Sequence, residues 1–341
     1  MNIERGILEG KDLKRLAELL KGFRVLAPVP EAGGGFGFAE LAPGKAPALD
    51  FPNVRLSPKK ILLPPCETLC EFDAGGMRET LPESRKTVIF GVRPCDARAL
   101  ALLDRVFEQS ATSGFRDPYY LGRRADTTIV ALACADPRST CFCTSVEGKP
   151  ASSEGADVLA FDLGGRLLLE AVTGKGEELF KSLGKVLRPA KDYEIRARDD
   201  QAAAAEKKVP VVKTSGVKQR LDKEYESPLW EAVAERCLGC GACAYLCPTC
   251  HCFDVTDEGK DGAGKRVRTW DCCQYSQFTH HGSGHNPRPS RKERARQRIM
   301  HKFRYNVDNF HAVFCVGCGR CIEYCPVNVD VRETLEALSS P

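Results

Sequence analysis

The chain has 341 residues, 43% of them hydrophobic and 28% charged, with 50 Lys and Arg against 46 Asp and Glu and a formal charge of +4. This balance excludes a disordered or low-complexity chain and suits two or three globular domains of about 100–200 residues each. No apolar run approaches the roughly 18 residues that cross a bilayer, so no membrane insertion is expected.

Residues 1–22 lack the apolar core of a signal peptide and carry Glu4, Glu9, Asp12 and Glu18, unlike a transit peptide. They read as an amphipathic helix with Leu13, Leu16 and Leu20 on one face, and the chain reads as cytoplasmic. Thiols stay reduced there, so its 18 cysteines point to metal or redox chemistry. Residues 33–37 (GGGFG) fit no dinucleotide fingerprint and read as a turn between strands 24–29 and 36–41. Cys66 and Cys70 are expected on a helical turn, with no role assigned. Residues 86–92 form a short β-branched run, and Asp96 is placed to cap a helix over 97–108. A second strand over 127–133 ends at Cys134. Segments 158–162 and 166–172 flank Gly164-Gly165 as a hairpin, and 177–186 reads as a helix.

These elements suggest an α/β domain over 1–195, then a linker over 196–226. Residues 227–341 show few strand signals. Ser227-Pro228 starts a helix presenting Trp230, Val233, Ala234 and Cys237 on one face. A helix over 288–307 carries Ile299, Met300, Phe303 and Val307 as a narrow stripe. Asp330 with Glu333 forms a capping box for a last helix. The overall class is α+β, an α/β domain followed by a mainly helical ferredoxin-type domain.

The strongest motif occurs twice. Cys237-x2-Cys240-x2-Cys243-x3-Cys247-Pro248 is repeated as Cys315-x2-Cys318-x2-Cys321-x3-Cys325-Pro326. Three closely spaced thiolates can wrap one iron–sulfur cubane, while the fourth cysteine serves the other cluster. The expected [4Fe–4S] ligand sets are therefore crossed: Cys237, Cys240, Cys243 and Cys325 for one, Cys315, Cys318, Cys321 and Cys247 for the other. Four-thiolate zinc is the alternative chemistry, but it does not require this doubled spacing. The 67 residues between the runs favour a helical module over a compact β-rich one.

Cys95 and Cys134 each follow an expected strand, and Cys141 and Cys143 lie just beyond. Ligands gather at the carboxyl ends of strands in open α/β sheets. These four are candidate ligands of a third [4Fe–4S] cluster; buried packing cysteines are the plainer reading. Cys250, Cys252, Cys272 and Cys273 read as packing around the clusters, with an additional metal site as the alternative. His280, His281 and His285 read as a surface loop. The basic stretch 288–304 is read as neutralising anionic clusters or docking an acidic subunit, in preference to binding nucleic acid. No nucleophile with its base stands out, so no catalytic residue is assigned.

Residues 236–243 (RCLGCGAC), 247–254 (CPTCHCFD), 266–271 (RVRTWD), 284–289 (GHNPRP), 301–303 (HKF) and 315–321 (CVGCGRC), with 90–96 (FGVRPCD), 117–120 (DPYY) and 141–144 (CFCT), carry a resemblance. The chain resembles the iron–sulfur β subunit of cytoplasmic sulfhydrogenase-type NiFe hydrogenases. It is also similar to the corresponding iron–sulfur subunits of anaerobic sulfite reductase and of flavin oxidoreductases linked to heterodisulfide reductase. The resemblance runs from about residue 55 onward. It implies an electron-transfer subunit linking a flavin/NAD(P)-binding partner, which would carry the FAD and NAD(P), to a catalytic redox subunit. It also matches Cys95, Cys134, Cys141 and Cys143 to family cysteines, whereas Cys66, Cys70 and Cys272 look like additions. A catalytic iron–sulfur subunit with an exchangeable cluster ligand, and a regulatory iron–sulfur protein binding nucleic acid, stay open as other classes.

Overall fold

A computed structural model describes residues 3–108 and 114–339. Twelve strands occur among them: β1 (Arg5–Glu9), β2 (Arg24–Pro30), β3 (Phe36–Glu40), β4 (Cys66–Asp73), β5 (Gly76–Glu79), β6 (Thr87–Val92), β7 (Thr127–Leu132), β8 (Val158–Asp162), β9 (Arg166–Ala171), β10 (Arg188–Pro189), β11 (Phe253–Lys260) and β12 (Ala263–Trp270). Eight of them build one sheet in the order β10-β1-β9-β8-β7-β6-β2-β3. Its centre, β2, β6, β7 and β8, is parallel, and antiparallel strands extend it on both sides. β6 and β7 are buried along their whole length, as unbroken apolar and β-branched runs in a doubly covered sheet should be. Helices Pro94–Phe107 and Gly174–Leu183 pack Leu100, Leu103, Leu179 and Phe180 into the same core as Ile7, Ile89, Val130 and Leu168.

The N-terminal segment is a strand first and a helix only in part. Residues 5–9 fill the place between β9 and β10, and backbone pairing there outweighs helical periodicity. Leu13, Leu16 and Leu20 still face inward, from two short helices, Gly10–Leu13 and Leu16–Leu19, and the turn after them.

The second sheet, β11-β12-β4-β5, is antiparallel and joins distant parts of the chain. β11 and β12 form a hairpin between the two cysteine runs, in a region expected to be mainly helical. β11 is exposed throughout and carries Asp254, Asp257, Glu258 and Lys260, so it lacks the apolar alternation that marks a strand. Cys66 and Cys70 lie on β4, not on a helical turn. The hairpin is anchored by Arg268, about 3% exposed, whose Nε and Nη2 donate to Glu67 Oε1 at 3.1 and 2.7 Å and which also pairs with Asp117.

Residues 196–226 are packed chain. Helix Asp192–Lys208 runs through the start of this stretch, helix Val217–Leu221 follows, and Ala205, Val209, Val212 and Leu221 are buried. Beyond them, helices Leu229–Arg236, Arg291–Met300 and Val331–Ser339 enclose Trp230, Ile299, Met300, Leu335 and Leu338. Phe142 and Val146, from the first half of the chain, complete that core. Asp330 Oδ1 accepts from Arg332 N at 2.8 Å, whereas Glu333 pairs with Arg236 instead of closing a capping box. Among the described residues no helix is long and apolar enough to cross a membrane.

Candidate metal centres

Parallel strands β6 and β7 end side by side, and their carboxyl ends deliver cysteines. Cys95 follows β6 in the first turn of helix Pro94–Phe107; Cys134 and Cys141 lie in the loop after β7, and Cys143 opens a short 3-10 turn. All four line one cavity, with Arg93 and Asn53 beside them. Asp96 caps nothing in this arrangement. Its carboxylate takes Arg320 Nη1 and Nη2 at 2.7 and 2.6 Å, with both side chains about 1% exposed.

The two cysteine runs interlock. Cys237, Cys240, Cys243 and Cys325 line a second cavity, and Cys247, Cys315, Cys318 and Cys321 line a third. The structure thus brings each expected set of four together along one cavity. The cavities stand in a row: Cys318 also borders the one around Cys95, and Cys321 also borders the one around Cys237. Glycine permits this stacking. Gly317 has φ +61°, its O accepts from Phe142 N at 2.9 Å, and a Cβ there would lie 2.5 Å from Cys143 N. Backbone N–H groups reach sulfur as well, Gly239 N to Cys237 Sγ at 3.4 Å and Val329 N to Cys325 Sγ at 3.2 Å.

The donor chemistry of all three cavities fits iron–sulfur clusters. Each offers at least four thiols, and among the described residues lining them there is no carboxylate. Burial pushes the Cys141 thiol up to about 11, Cys143 to about 12 and Cys315 to about 11. In such surroundings a thiolate persists only if metal replaces the proton. Among the described residues no three His, Cys, Asp or Glu side chains converge tightly enough for a single metal ion.

Buried cations surround the sulfurs. Lys302 Nζ lies 3.2 Å from Cys247 Sγ, 2.9 Å from Thr249 Oγ1 and 3.0 Å from Phe314 O. Arg298 donates to Cys243 O at 2.8 Å and to Cys250 Sγ at 3.6 Å. Lys59 donates to the carbonyls of Cys247 and Cys250, both at 2.8 Å. None of these three has a carboxylate among those partners, so negative charge must come from the cysteine sites. The basic stretch 288–304 therefore turns much of its charge inward: Arg294, Arg296 and Lys302 are buried. Arg93 and Arg320 could have been suspected from their adjacency to Cys95 and Cys321; Lys59 carries no such signal.

The family model for a 4Fe-4S dicluster domain matches residues 236–329, the stretch that holds both cysteine runs. Sulfhydrogenase 2 subunit beta of Pyrococcus furiosus is 32% identical over 294 residues, which cover 85% of this chain and 84% of that protein. The chain belongs to the sulfhydrogenase β-subunit family of iron–sulfur proteins. It is an electron-transfer subunit with [4Fe–4S] clusters, of the oxidoreductase class. No solved structure matches the chain. The dicluster match does not extend to Cys95, Cys134, Cys141 and Cys143.

Of the remaining cysteines, Cys250, Cys252 and Cys273 line a fourth, smaller cavity with His251, His301 and Lys302. Cys272 sits apart from it, its Sγ 3.8 Å from Gly241 O. Cys66 is exposed and Cys70 is buried in the second sheet, away from these cavities.

Proposed function

We propose that the chain is a three-cluster relay. Cys237, Cys240, Cys243 and Cys325 hold one [4Fe–4S] cluster; Cys247, Cys315, Cys318 and Cys321 hold a second; Cys95, Cys134, Cys141 and Cys143 hold a third. The observation that carries this reading is the row of three four-thiol cavities with shared walls. Each cluster passes one electron at a time, and a protein that fixes their order and burial sets the path and the potentials.

The relay has two ends. Cys240 is exposed at one, beside Leu238, which is 60% exposed. At the other, the cavity around Cys134 is bordered by Arg138 and Lys149. A flavin/NAD(P)-binding subunit docks at one end and a catalytic redox subunit of hydrogenase, sulfite reductase or heterodisulfide reductase type at the other. FAD and NAD(P) belong to the partner. Eighteen cysteines without a disulfide among them favour the reducing cytoplasm.

Iron analysis tests the reading. Anaerobically purified protein is expected to carry about 12 iron atoms per chain, and the Cys141→Ser/Cys143→Ser double variant about 8. Unchanged iron in that variant would remove the third cluster. Colourless protein, or protein loaded only with zinc, would remove the relay.

A further inference from the structure

Lys302 stands at the centre of the row of cavities. The helix that begins at Arg291 widens into one π-helical turn over His301–Tyr305, a rearrangement that frequently marks functional positions. Lys302 lies in that turn and is 6% exposed. Both of its ends are tied to Phe314, the residue before Cys315. Its O accepts from Phe314 N at 2.9 Å, and its Nζ donates to Phe314 O at 3.0 Å. The other contacts of Nζ are Thr249 Oγ1 at 2.9 Å and Cys247 Sγ at 3.2 Å.

These contacts fix the charge. Thr249 Oγ1 gives its own proton to Phe314 O at 2.6 Å, so toward Lys302 it accepts, as do the carbonyl and a metal-bound sulfur. Three acceptors need three N–H groups, and only the ammonium has them. No carboxylate is among the three, and at a buried site water screens the charge little. The other buried cations around the cavities are aimed differently. Arg298 reaches Cys243 O and Cys250 Sγ, and Lys59 reaches the carbonyls of Cys247 and Cys250. Arg93 reaches the carbonyls of Leu132 and Ala133, and Arg320 is neutralised by Asp96. Of these five, Lys302 alone donates to the sulfur of a proposed ligand, and that sulfur belongs to the middle cavity.

We propose that Lys302 raises the reduction potential of the cluster at Cys247, Cys315, Cys318 and Cys321, so that the middle site takes the first electron in the row. The proposal rests on the relay reading. Four thiolates around an iron–sulfur cubane leave the site anionic, and reduction adds one more negative charge. An ammonium bonded to one of those sulfurs stabilises the reduced form more than the oxidised form. The electron comes from a neighbouring site and no bond is made or broken; Lys302 keeps its proton in both states. Electrons entering from either end settle first in the middle, which holds the first of a pair while the second follows.

The test is an EPR-monitored redox titration of the full-length protein, purified without oxygen. The first signal to appear as the potential is lowered is expected to be the one that Lys302→Met moves. Its one-electron equilibrium should shift at least tenfold toward the oxidised form, a midpoint lower by about 59 mV or more, with the other midpoints moving less. Unchanged midpoints in a variant with about 12 iron atoms per chain would overturn the role of Lys302 and leave the relay standing. So would a fall shared equally by all the signals, or a shift confined to a later one. A second measurement needs no variant. Wild-type protein labelled with ¹⁵N at lysine Nζ and reduced by one electron is expected to show a ¹⁵N coupling on the first signal in pulsed EPR. Its absence would overturn the proposal even if Lys302→Met fails to fold. About 8 iron atoms per chain with the first signal still shifted in Lys302→Met would remove the third cluster and keep the role of Lys302.

Discussion

Two buried imidazoles near the cysteine sites tie individual residues to stability. His251 donates Nδ1–H to Thr249 O at 3.1 Å, and its ring packs 5.6 Å from that of His301. Burial first, then the nearby cations, hold His251 down to about 4 and His301 to about 3. Both are neutral in the folded protein, whereas an unfolded histidine titrates near 6.5. Above that pH neither state binds the protons and stability is full. As pH falls from about 6.5 toward 4 the unfolded chain takes up protons that the folded chain refuses, and stability drops by about 1.4 kcal/mol per pH unit for each histidine. Urea midpoints measured between pH 8 and pH 5 should fall below about 6.5, and His301→Phe should remove about one proton of that dependence. An identical slope in the variant would separate His301 from the effect.

At the scale of elements, the β11–β12 hairpin shows how an unpromising sequence becomes ordered. Nothing in its exposed, charged first strand predicts a sheet; pairing with β4 and the buried charges at Arg268 create it. Glu67 accepts from Arg268 through one oxygen and from Arg123 Nη2 through the other, at 2.7 Å. Glu67→Ala leaves Arg268 buried with Asp117 as its remaining carboxylate, an expected loss of about 3–5 kcal/mol. The loss should concentrate locally: amide exchange of residues 253–270 is expected to accelerate more than that of β6 and β7. Equal protection in both sheets would argue against this anchoring. The parallel centre of the large sheet, by contrast, was readable directly from residues 86–92 and 127–133, because strands buried on both faces need continuous apolar runs.

Across the whole molecule, the two halves of the chain are bound together at the cysteine sites. Ala99 and Leu102 pack with Phe314 and Val316, and Arg320 of the second cysteine run reaches Asp96 beside Cys95. This ion pair is fully desolvated, so removing one partner costs more than removing both. Asp96→Asn is expected to lower stability by about 3–5 kcal/mol, read from the urea midpoint. The Asp96→Asn/Arg320→Met double variant should recover part of that loss. A double variant as unstable as the sum of the two single variants would show that the pair does not act as a unit.

The sequence by itself determined the chemistry of the two doubled runs, because ligand spacing within a short stretch is a local property and the proline-terminated motif has few other uses. It also determined the strands that bring Cys95 and Cys134 to one sheet edge. Only the tertiary structure decided the rest: that the cavities share walls in a row, that Lys59, Arg298 and Lys302 surround the sulfurs, and that Cys252 and Cys273 line one cavity. Those contacts join residues tens to hundreds of positions apart. Their partners are chosen by which surfaces pack and which buried charges find compensation, and neither is written in any local pattern.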